Sequence, residues 1–408
     1  MQALGILAFI VALLLSIMVH EFGHFITAKH FGMKVTEFFL GFGQKIWSYQ
    51  RGETEFGIKA IPAGGYCRIE GMSPKDVMAE GEEGRAFYRA NGARKLVVLG
   101  AGSFLHFVLG FVLMVSLFMG VGTTQVTSTI EQVSPCIPPA TSTQTCAANA
   151  APSPAKVAGL QAGDKIVSIN SIRVKEWSTA VEQIRASAGK PLQIGIDRGT
   201  SKIQGSNPNG APDLVLTVTP QKRVINGKSY GYIGIINAFA TVRSDPVTSV
   251  TKSASMFRKF AGSSVTSLIA LPSKIPGLWN QTVGGATRDP SGLVGVVGVA
   301  RVSGQAAGSA KLTAAERLAT FILIIASLNI FVGIFNLLPI LPMDGGHMAV
   351  AIADEVRATF ARLRGRPRPA PIDVAVLTPL TMVVFVLLAG LSILLLVADI
   401  VNPVNLNL

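Results

Sequence analysis

The sequence predicts a polytopic α-helical membrane protein with four transmembrane helices and a folded β-rich domain outside the bilayer. Composition is the first observation behind this. Hydrophobic residues make up 49% of the 408 and charged residues 14%, and the mean hydropathy of +0.46 is high for a soluble chain. The second is four apolar runs, Met1 to Val19, Leu96 to Val121, Leu318 to Leu341 and Val374 to Ile400, each near or above the roughly 20 residues that span hydrocarbon. The third is the mostly polar stretch between the second and third runs, long enough for a domain of its own.

The first run could be read as a cleaved signal peptide, but that needs a basic leading segment, and Met1-Gln2-Ala3-Leu4 has none. A retained helix is expected. It ends in His20-Glu21-Phe22-Gly23-His24. Residues four apart share a helix face, so His20 and His24 can offer two imidazole nitrogens to one tetrahedral ion. A metal with an open position lowers the pKa of water from about 15.7 to about 7, and a carboxylate such as Glu21 can take the proton as that water attacks a carbonyl. Three ionisable residues at the end of an apolar run are costly in a bilayer unless a metal or partners compensate them.

Between the first two runs lie Lys29, Lys34, Lys45, Arg51, Lys59, Arg68, Lys75, Arg85, Arg89, Arg94 and Lys95. An excess of Lys and Arg marks the cytoplasmic side. Arg357, Arg362, Arg364, Arg366 and Arg368 repeat the signal between the third and fourth runs. Both termini and the polar stretch are therefore expected outside the cytoplasm. The net charge of +13 follows from this topology and from attraction to anionic membrane lipid; the bases are not interleaved with aromatics, so no nucleic-acid partner is expected.

Within the polar stretch, Ser153 to Asn170, with Gly163-Asp164 at its turn, resembles the helix, Gly-Asp turn and strand of a PDZ domain. Strands are expected over Leu192 to Asp197, Leu214 to Thr219 and Tyr232 to Ile236. PDZ domains add a peptide strand to a sheet edge, so a peptide or substrate end is the expected ligand. Cys136 and Cys146 lie at the entry to this domain, where an oxidising compartment permits a disulfide. Cys67 lacks a second ligand at metal spacing and reads as a buried small residue.

A catalytic zinc takes three protein ligands. One distant candidate is Asp344, in Asn336-Leu337-Leu338-Pro339-Ile340-Leu341-Pro342-Met343-Asp344-Gly345-Gly346-His347 at the inner end of the third run. The first and third runs cross in the same direction, so their inner ends can meet. Pro339 and Pro342 cannot continue a regular helix, and freed backbone at that depth must be buried or line wet space. A Glu downstream of the motif, Glu37, Glu53, Glu55 or Glu70, is the other possible ligand.

Over essentially its whole length the chain resembles the bacterial site-2 proteases, intramembrane zinc metalloproteases, of the type with a single PDZ domain. Their pattern pairs His-Glu-x-x-His with Asn-x-x-Pro-x-x-x-x-Asp-Gly, matched here by Asn336, Pro339, Asp344 and Gly345, with Met343 in place of the usual Leu. The resemblance implies Zn2+ held by His20, His24 and Asp344, with Glu21 as general base. Gly41-Phe42-Gly43 and Gly52 to Tyr66, with Gly64 and Gly65 near its end, resemble the family's membrane re-entrant β-hairpin, expected over about 52–70. An unwound substrate helix needs partners for its freed peptide groups, and an edge strand supplies them. Gly64, Gly65 and Asn336 are the expected substrate-binding residues.

The resemblance implies cleavage within the transmembrane segment of a single-span membrane protein such as an anti-sigma factor, in regulated intramembrane proteolysis at the inner (plasma) membrane, with the active site near the cytoplasmic side. The expected division is a membrane core over 1–121, the PDZ-like domain over 122–240, an interfacial or gate-like linker over 241–317 and a second membrane core over 318–408. Ser291 to Gly298 reads as loop. His106 stands where relatives carry an Asn; as a single histidine without partners it reads as structural, and His347, three beyond Asp344, as a neighbour of the ligand set. The alternative function is a catalytically inactive membrane scaffold that presents the PDZ domain.

Overall fold

Helix α1 (Gln2–His30) carries the apolar run and the histidine motif in one uninterrupted helix, with Lys29 and His30 in its last turn, where cations favour the carbonyl end. The computed structural model describes residues 1–137, 146, 150–174, 177–199, 212–225, 228–289 and 292–404. Two long antiparallel strands follow, β1 (Val35–Arg51) and β2 (Thr54–Ile69). They double back: Phe38 is opposite both Cys67 and Phe56, and Phe39 opposite both Tyr66 and Gly57. Gly41 and Gly43 permit the bend at φ +88° and +84°, values that disfavour other residues. The hairpin begins well before the expected residue 52, because β-branched and aromatic residues from Val35 onward already pair.

Helix α2 (Gly92–Ser116) is capped by the Asn91 side chain, which accepts from the Arg94 amide at 2.9 Å, and a wider π turn over Leu117–Val121 extends it. One compact unit comprises Met1–Gly122 and Arg243–Leu408, and Thr123–Val242 is another.

The second unit contains β3 (Thr123–Val133), α3 (Pro154–Val157), β4 (Lys165–Ile169), β5 (Ile172–Arg173), α4 (Trp177–Ala186), β6 (Leu192–Asp197), β7 (Leu214–Val218), β8 (Gln221–Ile225), β9 (Lys228–Tyr232) and β10 (Ile235–Val242). Strand order in its main sheet is β10-β3-β4-β6-β7, with β5 on β4 and a separate β8-β9 hairpin. Leu192, Ile194 and Ile196 alternate into a core with Ile130, Ile166, Ile169 and Val218, closed by Ala180 and Ile184 of α4. Asp164, in the Gly-Asp turn, is 1% exposed and accepts from the Gln161 amide and from Arg198, each at 2.8 Å. The strand expected over Tyr232 to Ile236 is instead the break between β9 and β10, because Gly234 turns the chain at φ +81°. Cys136 and Cys146 form a disulfide with Cα atoms 5.9 Å apart.

Three helices occupy the span expected as an interfacial or gate-like linker: α5 (Pro246–Ile269), α6 (Leu271–Thr282) and α7 (Val296–Gly308). The Asp245 side chain caps α5, with Pro246 at its first position. Phe257 of α5 meets Phe107 and Phe111 of α2 edge to face. Helix α7 lies against α1 through small residues: a Cβ on Gly5 would come within 2.8 Å of Ser303 and Ala307 atoms. The stretch expected as loop up to Gly298 therefore turns helical at Val296, while Ser291 lies outside the described residues.

Helix α8 (Ala314–Asn336) opens with a Thr313–Glu316 capping box and stops five residues short of the expected Leu341. Pro339 and Pro342 lack the amide that a continued helix would need. After this irregular turn come α9 (Asp344–Leu363), a 3-10 turn over Val374–Leu377 and α10 (Thr378–Val401). Four helical stretches, Gln2–His30, Gly92–Val121, Ala314–Asn336 and Val374–Val401, are long and apolar enough to cross a membrane. The apolar centre of the fourth is nowhere buried. Near its end the carboxylate of Asp399, 0% exposed, meets the Arg288 guanidinium at 3.2 Å and accepts from the Gly298 amide at 2.7 Å.

Candidate metal centre

His20 and His24 are one helical turn apart on the buried face of α1, each 8% exposed. Their Nε2 atoms are 3.1 Å apart. Asp344, the first residue of α9, brings its Oδ2 to 3.2 Å from His20 Nε2 and 3.4 Å from His24 Nε2. All three ligand atoms lie within 4.8 Å of one another. Of the expected ligand set the structure brings all three together, although 320 positions separate His24 from Asp344.

Local sequence explains the convergence. A Cβ on Gly23 would lie 2.6 Å from the Ala101 carbonyl oxygen, so glycine at that position lets α1 and α2 approach closely beside the histidines. A Cβ on Gly102 would fall 2.5 to 2.7 Å from three atoms of the His20 ring, so α2 forms the floor on which that imidazole rests. On the α9 side, Gly345 and Gly346 press against the backbone of Leu337, Leu338, Ile340 and Leu341, which seats the helix start under the preceding turn.

Hydrogen bonding fixes the chemistry of the donors. His24 Nδ1 lies 2.8 Å from the Val98 carbonyl, which can only accept, so the ring proton sits on Nδ1 and the Nε2 lone pair points at the other ligands. Asp344 Oδ2 is buried and has no hydrogen-bond partner among the described residues, although two imidazoles stand beside it. Lone pairs facing one another at this range repel unless a proton or a cation lies between them. Two imidazole nitrogens and one carboxylate oxygen, with the Asp344 side chain still 21% exposed, fit a tetrahedral divalent ion with one position left open.

Glu21 follows His20 directly; the histidines and Asp344 act on its carboxyl, and the Cys67 backbone amide bonds to it. Strand β2 runs beside the motif at this level: a Cβ on Gly65 would meet Ile17 and Met18 at 3.2 Å. Gly64, half-buried at φ +153°, faces the Phe42 ring. Asn336 is the last residue of α8 and half-buried, and no hydrogen bond of its side chain is seen among the described residues. Burial first, and then the Glu21 carboxylate, push the Cys67 thiol up to about 12, which keeps it a neutral small side chain.

The four other acidic candidates are engaged elsewhere. Glu53, at the hairpin turn, is gripped by both Arg85 Nη atoms at 2.7 Å and by Lys29, which hold its carboxyl down at about 2. Glu55 bonds Lys45 and Ser48, Glu37 bonds Tyr66, and Glu70 bonds Thr36. None joins the histidines.

His106, expected as a structural histidine without partners, has a partner. It is 2% exposed, its ring centroid stands 5.0 Å from that of His20, and its Nδ1 lies 2.7 Å from Asn329 Oδ1. Asn329 in turn donates to Ser16 Oγ at 3.0 Å and to the Ile325 carbonyl at 2.8 Å. A polar bridge thus joins α2, α8 and α1 one turn away from His20. The signal for it was present: Asn329 interrupts an apolar run seven residues before Asn336, on the same helix face.

A family model described as Peptidase family M50 matches residues 8–380. Zinc metalloprotease Rip1 of Mycolicibacterium smegmatis is 32% identical over 99% of this chain and 99% of its own length. Zinc metalloprotease Rip1 of Mycobacterium tuberculosis is 32% identical over 98% of each. The matched span runs from within α1 to the start of α10, so the likeness covers both halves of the ligand set.

Proposed function

The chain belongs to peptidase family M50, and from that premise we propose that it is an intramembrane zinc metalloendopeptidase that hydrolyses a peptide bond within the transmembrane segment of a single-span membrane protein. The observation that carries this reading is the cluster of His20, His24 and Asp344, whose lone-pair-bearing atoms converge at 3.1 to 3.4 Å, with both histidines on a helix apolar enough for a bilayer. Those three residues would hold the ion, and Val98 orients His24 by accepting its Nδ1 proton. When bound, zinc supplies Lewis-acid polarisation and lowers the pKa of water.

Glu21 takes the proton from the attacking water and passes it to the leaving amide nitrogen, so that the carboxylate ends the cycle as it began. Strand β2, alongside the motif, offers peptide groups to a substrate segment that has lost its helical bonds. In this reading Gly64 and Gly65 let that segment approach the strand, and the Asn336 amide bonds it from the end of α8. The sheet unit over Thr123–Val242 acts as the PDZ domain and binds a peptide or substrate end. The Lys and Arg of residues 29–95 and 357–368 support a cytoplasmic location for the metal end of the helices, with both termini and the PDZ domain outside. An anti-sigma factor, cut to release its cytoplasmic part, is the substrate class the family resemblance favours. A scaffold without activity would have no use for converging ligands with a carboxylate beside them.

The test is purified full-length protein, its zinc content, and cleavage of a panel of single-span substrates. Glu21→Gln should keep stoichiometric zinc and lose about 10²- to 10⁴-fold in kcat; Asp344→Asn should lose the zinc. Equal cleavage by wild type and Glu21→Gln would overturn the assignment of the base. Full zinc in Asp344→Asn would overturn that of the ligand.

A further inference from the structure

On the same two helices that supply Gly102 and Asp344, away from the metal ligands, lies a cavity of about 470 Å³ whose lining includes Arg89, Asn91, Lys95, Asp354, Arg357 and Arg368. Four of those six side chains are cations and one is an anion. Lys95 sits in the first turn of the span Gly92–Val121, so the cavity lies where a membrane helix begins.

Lys95 is 8% exposed, and among the described residues it makes no ion pair; its ammonium stands 5.9 Å from the Phe87 ring centroid. Lysine is seldom buried this far without a partner, and here its ammonium has only the cavity to face. The neighbouring acids do not supply one. Asp354 is shared between Arg357, at 3.4 Å, and the Ile372 amide, at 2.9 Å. Glu355 binds Arg368 at 2.7 Å and the Gly92 amide at 2.9 Å, and Arg89 is paired with Glu83 at 3.0 Å. Each guanidinium makes one such pairing and keeps further N–H donors. The amino-terminal end of the 25-residue α2, with Asn91 as its cap, adds its partial positive charge on the same side.

We propose that this cavity is a phosphate-binding site, with Lys95 as the buried cation and Arg357 and Arg368 as the outer donors, and that it takes the phosphate of an anionic lipid headgroup or a free phosphate ion. Tetrahedrally arranged phosphate oxygens, two of them unesterified in a phosphodiester headgroup and all four in the free ion, suit a point ammonium inside and planar guanidinium forks outside. The site is separate from the metal ligands, and its existence does not depend on the proteolytic reading.

Full-length protein in detergent, probed by native mass spectrometry with phosphatidylglycerol, with phosphatidylcholine and with inorganic phosphate, tests this. Wild type should retain one phosphatidylglycerol in preference to phosphatidylcholine, and Lys95→Met should weaken retention about tenfold, the loss expected for a charge-assisted hydrogen bond. Arg368→Gln, at a half-exposed position that folding tolerates, should weaken it too and guards against a Lys95 variant that fails to fold. If phosphatidylglycerol displaces inorganic phosphate, the headgroup is the ligand; if inorganic phosphate alone binds, with the same dependence on Lys95, the free ion is. Wild-type affinity for both probes in Lys95→Met and Arg368→Gln would overturn the proposal.

Discussion

His106 donates its Nδ1 proton to Asn329 Oδ1 across 2.7 Å, in a setting where both residues are almost wholly buried, at 2% and 1% exposure. Among the described residues no other partner of the Asn329 side-chain oxygen is seen. Replacing His106 by Ala should therefore cost about 1–3 kcal/mol, the penalty for a buried acceptor left unmet. Thermal unfolding in detergent measures it, and zinc stoichiometry should stay unchanged. Loss of zinc in His106→Ala would make the imidazole a ligand instead of a brace.

Gly102→Ala should act in the opposite way, on the metal and not on the helix. Alanine favours α2 by about 1 kcal/mol of propensity, but its Cβ would stand 2.5 to 2.7 Å from the His20 ring. The imidazole must shift. We expect zinc affinity to fall about 10- to 100-fold, as for the loss of a group that orients a ligand, with helical circular dichroism unaltered. Competition against a chromophoric chelator gives the affinity, and an unchanged value would mean that His20 does not rest on α2.

Cys67 should resist alkylation. With the disulfide closed it is the one free thiol of three cysteines, and a rise from 9.0 to about 12 cuts the thiolate fraction near neutrality about 1,000-fold. Because the folded value is the higher one, the stabilisation is complete below about pH 9 and is lost as pH rises from there through about 12. Iodoacetamide at pH 8 should label the unfolded chain and leave the native one nearly unmodified. Equal labelling rates would show that the thiol is open to water.

Much of the frame was legible from local signals. Apolar runs mark the spans because a bilayer rewards length and apolarity directly, and Pro339 and Pro342 announce that the third run cannot reach Leu341 as helix. His20 and His24 share a face through helical periodicity alone. What local patterns do not carry is contact between distant elements. Asn329 is one amide in an apolar run, and its value appears only when Ser16 and His106 close around it. Gly102 and Gly23 look like ordinary small residues until the distances to His20 and Ala101 are known. An interfacial or gate-like stretch was legible before the third span, but its division into α5 to α7 was not, because its composition is intermediate and not apolar enough for a span.

The buried pair of Asp399 and Arg288 bears on the order in which the chain is built. A carboxylate near the end of an otherwise apolar last span raises the cost of inserting that span by about 2.5–3.5 kcal/mol if it reaches the bilayer centre alone. The Arg288 guanidinium and the Gly298 amide that meet it lie earlier in the sequence. They leave the ribosome first. Synthesis from the amino terminus thus completes the receptacle before the residue it receives, and α10 docks as a finishing piece whose end, not its lipid-facing middle, sets where it stops.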